Sequence, residues 1–337
     1  MDRSSQILKW VKSFFDQAEA EYELLEGKDV IRIIMPLDGK LKSSTIEILF
    51  WDDSYTVNAY IPLNADEYCR QRVAEYITRA TYGLSVGNFE MDFLGGEIRY
   101  RLTLDCEDRT SLSDDLIRST LAIPLGLIDK YGDGLVAVMY GFKSPEDAIK
   151  EIDYIFEETQ ETQNETDAVE IGTETIKEDY HMATASQILN MVKEFFDHID
   201  LKYELLEGED VIRIVMPLDG KLTQTTMDIV FVDGSYTVLA YIPLRADEDC
   251  QQRVAEYITR ITYGLRYGNF EMDFRDGAIR YRLTLDCEDR TSLSYDLIMD
   301  TITIPRGSIS TYGDGLVAVM YGVKSPEDAY KEVQNRV

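Results

Sequence analysis

The stretch IRYRLTLDCEDRTSLS, residues 98–113, gathers three carboxylates, a thiol and three arginines in sixteen residues, and it recurs letter for letter at residues 279–294. Several chemistries fit such a string. Asp105, Glu107 and Asp108 could offer oxygen ligands to a divalent cation, although EF-hand spacing is absent. The competing reading is a solvated strand end and helix start, where acids are favoured by the positive helix end. Cys106 would be a nucleophile only as a thiolate. It lies in phase with Leu102 and Leu104, which argues for a buried thiol instead. Arg99 and Arg101 could grip an anionic ligand, or pair with acids across a hairpin. A second candidate, YGDGL at residues 131–135, has two glycines but no following Lys-Ser/Thr, so it lacks the pattern of a phosphate-binding loop.

Histidine chemistry has little to work with. The chain has two histidines, His181 and His198, and the second stands where the first copy of the repeat has Gln17. A Ser-His-Asp or Cys-His site, or a histidine metal site, would therefore be missing from one copy. The four cysteines, Cys69, Cys106, Cys250 and Cys287, form no CxxC pair and read as reduced, buried thiols. No catalytic, cofactor-binding or metal-ligating residue is assigned on this basis, and the expectation is a chain that is not an enzyme and needs no cofactor.

These residues sit inside a duplicated module. A shift of 181 aligns Ser5–Ile152 with Ser186–Val333 without a gap, and 108 of the 148 aligned positions, about 73%, are identical. A period this long indicates a duplicated domain. The expected organisation is copy one over residues 5–152, an acidic flexible linker over 153–185, and copy two over 186–333. The linker carries ten acids and one base, a composition that self-repels and buries little. The 337 residues carry 63 acids and 34 bases, a formal net charge of −29. That charge repels phosphate backbones and anionic lipid, so neither nucleic acid nor membrane is an expected partner. No run of about 18 apolar residues is present, and MDRSSQILKW lacks the order of a signal peptide, so a cytoplasmic location is expected.

Periodicity supplies the elements. SQILKWVKSFF has helical spacing with Ser4 or Ser5 as a possible N-cap. Strand-like runs flank turns at Gly27-Lys28-Asp29 and Asp52-Asp53, and Ile46, Ile48 and Phe50 alternate onto one face. ADEYCRQRVAEYITRATYGL is an amphipathic helix with Cys69 on its core stripe and Gly83 as its stop. Phe89, Met91 and Phe93 then share one face of a hairpin with Ile98, Tyr100, Leu102, Leu104 and Cys106. Counting back from a two-residue turn pairs Asp92 with Arg99 and Glu90 with Arg101, and likewise Asp273 with Arg280 and Glu271 with Arg282. A helical region follows, weakest over ITIPRGSIS. YGDGLVAVMYG reads as a short buried helix, and Ser144-Pro145 opens a last helix. One copy thus reads α-β-β-β-β-α-β-β-α-α, an antiparallel sheet with helices, class α+β.

GNFEMDFRDGAIRYRLTLD, followed by a helix and then YGDGLVAVMYGVKSPEDA, resembles the YbjN-like domain family over nearly all of both copies. The resemblance implies a fold similar to type III secretion chaperones, a sheet backed by helices. It also implies a role like that of bacterial sensory transduction regulators, without an established catalytic activity or site residues. Two functions follow as expectations. One is a non-enzymatic protein-binding or regulatory module that takes a protein or peptide client, with the two copies free to pack as an intramolecular pseudo-dimer. The other is a small-molecule or ion sensor with a pocket between the sheet and the GDGL–MYG segment.

Overall fold

A computed structural model describes residues 3–25, 27–154, 183–290 and 292–336. The first copy contains α1 (Arg3–Gln17), β1 (Glu23–Leu24), β2 (Val30–Pro36), β3 (Ser43–Phe50), β4 (Ser54–Asn64), α2 (Arg70–Thr81), β5 (Asn88–Met91), β6 (Glu97–Asp105), α3 (Asp114–Met139) and α4 (residues 145–154). The second copy repeats the order as α5 (Ala185–His198), β7 (Glu204–Leu205), β8 (Val211–Pro217), β9 (Gln224–Val232), β10 (Ser235–Arg245), α6 (Gln251–Thr262), β11 (Asn269–Met272), β12 (Ala278–Asp286), α7 (Tyr295–Met320) and α8 (Pro326–Gln334). The expected linker lies largely outside the described residues, as does His181. No helix among the described residues is long and apolar enough to cross a membrane.

Each copy forms one six-stranded antiparallel sheet, in the order β1-β2-β3-β4-β6-β5 and its equivalent β7-β8-β9-β10-β12-β11. Alternation decides what each face does. Ile46, Ile48, Val57, Ala59, Tyr100 and Leu102 turn toward the helices and are buried, and each copy holds its own hydrophobic cluster. Phe89 packs edge-on against Tyr100 and Tyr131, with centroids 5.1 and 5.7 Å away. Cys69 and Cys106 lie in the same core, and all four cysteines are free and buried.

Three expectations need correction. The region after β6 is not broken into short helices: α3 runs 26 residues with Pro124 inside it, and α7 does the same around Pro305. Burial of both prolines and of Ile128, Leu135 and Val138 outweighs the lost helical hydrogen bond. YGDGL is therefore the interior of a helix. Gly132 and Gly134 let Leu41 and the Tyr76 hydroxyl approach closely, while Asp133 accepts from the Lys40 N–H at 2.7 Å. The helical start is also different, because Ser4 and Ser5 fall inside α1. In copy two Thr184 is the N-cap, in a reciprocal capping box with Gln187.

The third correction is register. The β5–β6 hairpin closes at Asp92 N–H to Glu97 C=O, which leaves a four-residue loop rather than two. Glu90 consequently faces Arg99, not Arg101, and Asn88 faces Arg101, with the same offset in copy two. Gly96 and Gly277 take left-handed φ of 75° and 71°, and a side chain there would run into the Ala65 and Ala246 carbonyls. By contrast, nothing lies near a Cβ at Gly126 or Gly307 inside the long helices. Gly277→Ala should therefore cost about 2 kcal/mol or more in urea unfolding. Gly307→Ala should stabilise by about 0.5–1 kcal/mol.

Candidate functional site at the contact between the copies

Glu90, Arg99 and Arg101 lie on the sheet face away from the helices, where solvent would be expected. The Glu90 side chain is nevertheless fully buried, and Arg101 is only 4% exposed. The covering atoms come from the other copy. Glu90 accepts from Arg99 at 2.9 and 3.0 Å through one carboxylate oxygen, and from Arg101 through the other. Arg101 also donates to Asn88 Oδ1 at 3.1 Å, and it crosses the boundary to the Arg266 carbonyl at 2.7 Å and the Gly268 carbonyl at 3.0 Å. The mirror set holds: Glu271 anchors Arg280 and Arg282, and Arg282 reaches the carbonyls of Ser85 (3.2 Å) and Gly87 (2.7 Å). Thr103 and Thr284 donate to the same loops, to Arg266 C=O at 3.0 Å and Ser85 C=O at 2.9 Å.

The DCEDR segment forms a second reciprocal layer. Arg109 keeps one donor at home, on the Asp105 carbonyl at 3.0 Å. Its other nitrogens bind the Asp286 carboxylate at 2.6 Å and the Glu288 carbonyl of copy two. Arg290 returns the contact to the Asp105 carboxylate at 2.7 Å and the Glu107 carbonyl. Both guanidinium groups are essentially inaccessible to solvent. Asp108 and Asp289, held at left-handed φ of 60° and 57°, accept from the backbone N–H of Ser294 (2.8 Å) and Ser113 (3.0 Å). Those serines are the N-caps of α7 and α3, so each acid sits at the positive end of the opposite copy's longest helix.

Aromatic rings complete the contact. Arg79 lies over Phe274 at 3.9 Å and Arg260 over Phe93 at 4.0 Å. Arg99 lies over Tyr263 at 4.4 Å and Arg280 over Tyr82 at 4.5 Å. Every one of these pairs has its partner under the 181-residue shift, so the contact is isologous in the manner of a twofold dimer. A few contacts are not mirrored. Arg266 replaces Ser85 and binds the Asp53 carboxylate and the Ser54 hydroxyl (2.7 Å), over the Trp51 ring at 4.9 Å.

This geometry relocates each sequence candidate. Asp105, Glu107 and Asp108 do not converge as a cation cage: the Asp105 carboxylate and the Glu107 carbonyl take Arg290 of the other copy, the exposed Asp108 carboxylate takes a helix N–H there, and the Glu107 carboxylate has no ion pair among the described residues. Burial pushes the Asp105 and Asp286 carboxyls above the usual range, against the pull of Arg290 and Arg109. Burial also pushes the Cys106 and Cys287 thiols up to about 12. Arg99 and Arg101 do pair with acid, but both with Glu90. Asp273 turns to Arg275 at 2.7 Å rather than to Arg280. His198 ends α5 and stacks on Tyr295 at 5.0 Å. Phe93 packs at the edge of its own core and also carries Arg260 over its ring. The residues missed by sequence reasoning are Arg109 and Arg290. Their signal was verbatim identity extending past the strand into a loop, where solvated loops ordinarily diverge.

Comparison with protein-family models yields no match, and comparison with curated proteins yields none either.

Two outcomes follow. Removing one member of a buried, hydrogen-bonded pair strands the other, so Arg109→Ala should lower unfolding free energy by about 3–5 kcal/mol in urea titration, and Arg290→Ala by a similar amount. At pH 8 a thiol with a pKa near 12 is about one part in 10⁴ thiolate, against roughly a quarter for an ordinary cysteine. Native protein should therefore leave Cys106 and Cys287 unalkylated by iodoacetamide at pH 8, with labelling only on denaturation.

Proposed function

We propose that the protein is a non-enzymatic, protein-binding regulatory module in which two YbjN-like, secretion-chaperone-like copies act as one body. Support comes first from where the chemistry-bearing groups are committed. The repeated acids and arginines are engaged in joining the copies, and the thiols are sealed in cores. What remains available to a partner is surface.

The observation that carries the reading is an aromatic cluster on copy one. Tyr68, Tyr140 and Phe142 are 67%, 58% and 80% exposed. Arg72 ties the two segments together: its guanidinium faces the Tyr68 ring at 5.4 Å and holds the Val138 and Met139 carbonyls, just before Tyr140, at 2.8 Å. Tyr140 and Phe142 are ring neighbours at 6.2 Å. Exposed aromatics on segments tied by a fixed arginine have the composition of a protein-binding hot spot. Copy two keeps Arg253 and Tyr321 but has Asp249 and Val323 in place of the other two, so a client engages the two copies unequally.

The test is a pulldown from cell lysate with the folded chain as bait, beside a Tyr68→Ser/Phe142→Ser variant. The parent should retain a polypeptide that the variant loses, with unchanged melting temperatures because both side chains are exposed. Equal retention by both, or none above background, would remove the support for this reading.

A further inference from the structure

The contact between the copies is not filled to its centre. A cavity of about 130 Å³ lies on the pseudo-twofold boundary, walled by Leu102 and Leu104 of β6, Leu283 and Leu285 of β12, and side chains of α3 and α7. It is not the pocket expected beside GDGL–MYG, where Leu41 and Tyr76 close up on the helix glycines. An apolar cavity of roughly 150 Å³ is enough to take one benzene ring. The size therefore sets the ligand's body at a single ring or its equivalent.

Polar atoms at the wall set its chemistry. Cys106 N–H donates to Asp53 C=O, so alternate residues of β6 bond to β4, and Thr103 and Asp105 turn their backbone groups the other way. On that side β5 meets only Ile98–Arg101. The backbone of Thr103 thus borders the cavity without a strand neighbour, and Thr284 repeats the arrangement. Tyr267, which replaces Val86, also lines the cavity. Its hydroxyl is buried without a well-formed hydrogen bond, beside the Ser54 hydroxyl that donates to Asp53 and accepts from Arg266.

The unpaired charge at the wall has one sign. The lining acids Asp53, Asp105 and Asp286 are engaged by Arg266, Arg290 and Arg109. Arg101 and Arg282 are engaged by Glu90 and Glu271. Glu107 and Asp300 remain, and among the described residues neither side chain has an ion pair. Both carboxyls are raised by burial and by neighbouring acids, with Asp296 acting on each. An anion entering here would meet two unpaired carboxylates, while the lining arginines are already matched by Glu90 and Glu271. A cation would supply the missing partner.

We propose that this inter-copy cavity binds a small organic cation: a ring-sized apolar body bearing an amidinium or protonated amine, its charge toward Glu107 and Asp300 and its N–H groups within reach of Tyr267. This goes beyond the protein-binding reading and does not depend on it, since the aromatic cluster around Arg72 is elsewhere on copy one.

Benzamidine, benzamide and benzoate share one ring and differ in charge, and they test the site on the purified full chain. Benzamidine should raise the melting temperature in a saturable manner and titrate calorimetrically to one site per chain. Benzamide should bind more weakly, and benzoate should not bind. Glu107→Gln with Asp300→Asn should reduce benzamidine affinity at least about tenfold, to the level of benzamide, as loss of a charge-assisted hydrogen bond requires. Tyr267→Phe removes a hydroxyl without a well-formed hydrogen bond, so it should leave the free protein's melting temperature unchanged while weakening benzamidine binding. Ile304→Phe, filling the cavity, should abolish binding. Should that variant fail to fold, the carboxylate and tyrosine variants decide the matter alone. Equal shifts with all three probes, a stoichiometry other than one, or unchanged affinity in the carboxylate variant would overturn the proposal.

Discussion

A guanidinium can satisfy a carboxylate in its own sheet and still have donors to spare, and that surplus organises this structure. Arg101 and Arg282 each give one edge to a buried glutamate and the other to carbonyls of the opposite copy. Arg109 and Arg290 divide their donors the other way round, with a carbonyl at home and a carboxylate and a carbonyl of the opposite copy. Lysine could not do this, since its point charge lacks the planar fork. Because both copies carry the same residues, each contact is made twice. An isolated buried ion pair contributes little net stability and can be worse than an apolar substitute. Its value here is geometric, since the two faces fit in one register only.

That register explains several otherwise odd features together. It buries the outer sheet face at Thr56 and Asn58, which alternation alone would leave wet. It sets Arg260 over the Phe93 ring at the edge of the first copy's core. It places Asp108 and Asp289 at helix starts, and both are acids that tolerate a left-handed backbone. Because the two short strands β5 and β11 leave part of β6 and β12 unaccompanied, it also encloses a cavity between those strands. The functional readings rest on this division between committed and uncommitted groups. Aromatic surface on copy one remains for a partner, and two carboxylates with one hydroxyl remain for a small ligand.

The element order was legible in the sequence because it rests on local signals. Alternating Ile46, Ile48 and Phe50, the stripe through Val73, Tyr76 and Ile77, and the Ser325-Pro326 helix start each declare themselves within a few residues. Two things were not legible. Pro124 with Gly126, Gly132 and Gly134 looks like a broken helix, and only tertiary burial of that surface makes one continuous rod. The hairpin length turns on a left-handed glycine packed against the Ala65 carbonyl, a contact 31 positions away in sequence. The site was half legible. Glu90, Arg99 and Arg101 were recognised as a charge-pairing group, with the pairing off by one step of the ladder. The DCEDR segment could not be placed, because its partners lie roughly 180 residues away and a single copy holds no hint of them.

The central claim is that Arg109 serves the other copy rather than its own. A pair of double-mutant cycles on the full chain measures this directly, comparing the coupling of Arg109 to Asp286 with its coupling to Asp105, by alanine substitution and urea unfolding. The account predicts at least about 1.5 kcal/mol between Arg109 and Asp286, as for close charge pairs at an interface, and a clearly smaller value with Asp105. Coupling below about 0.5 kcal/mol to Asp286, the range of independent sites, or a larger coupling to Asp105, would contradict it.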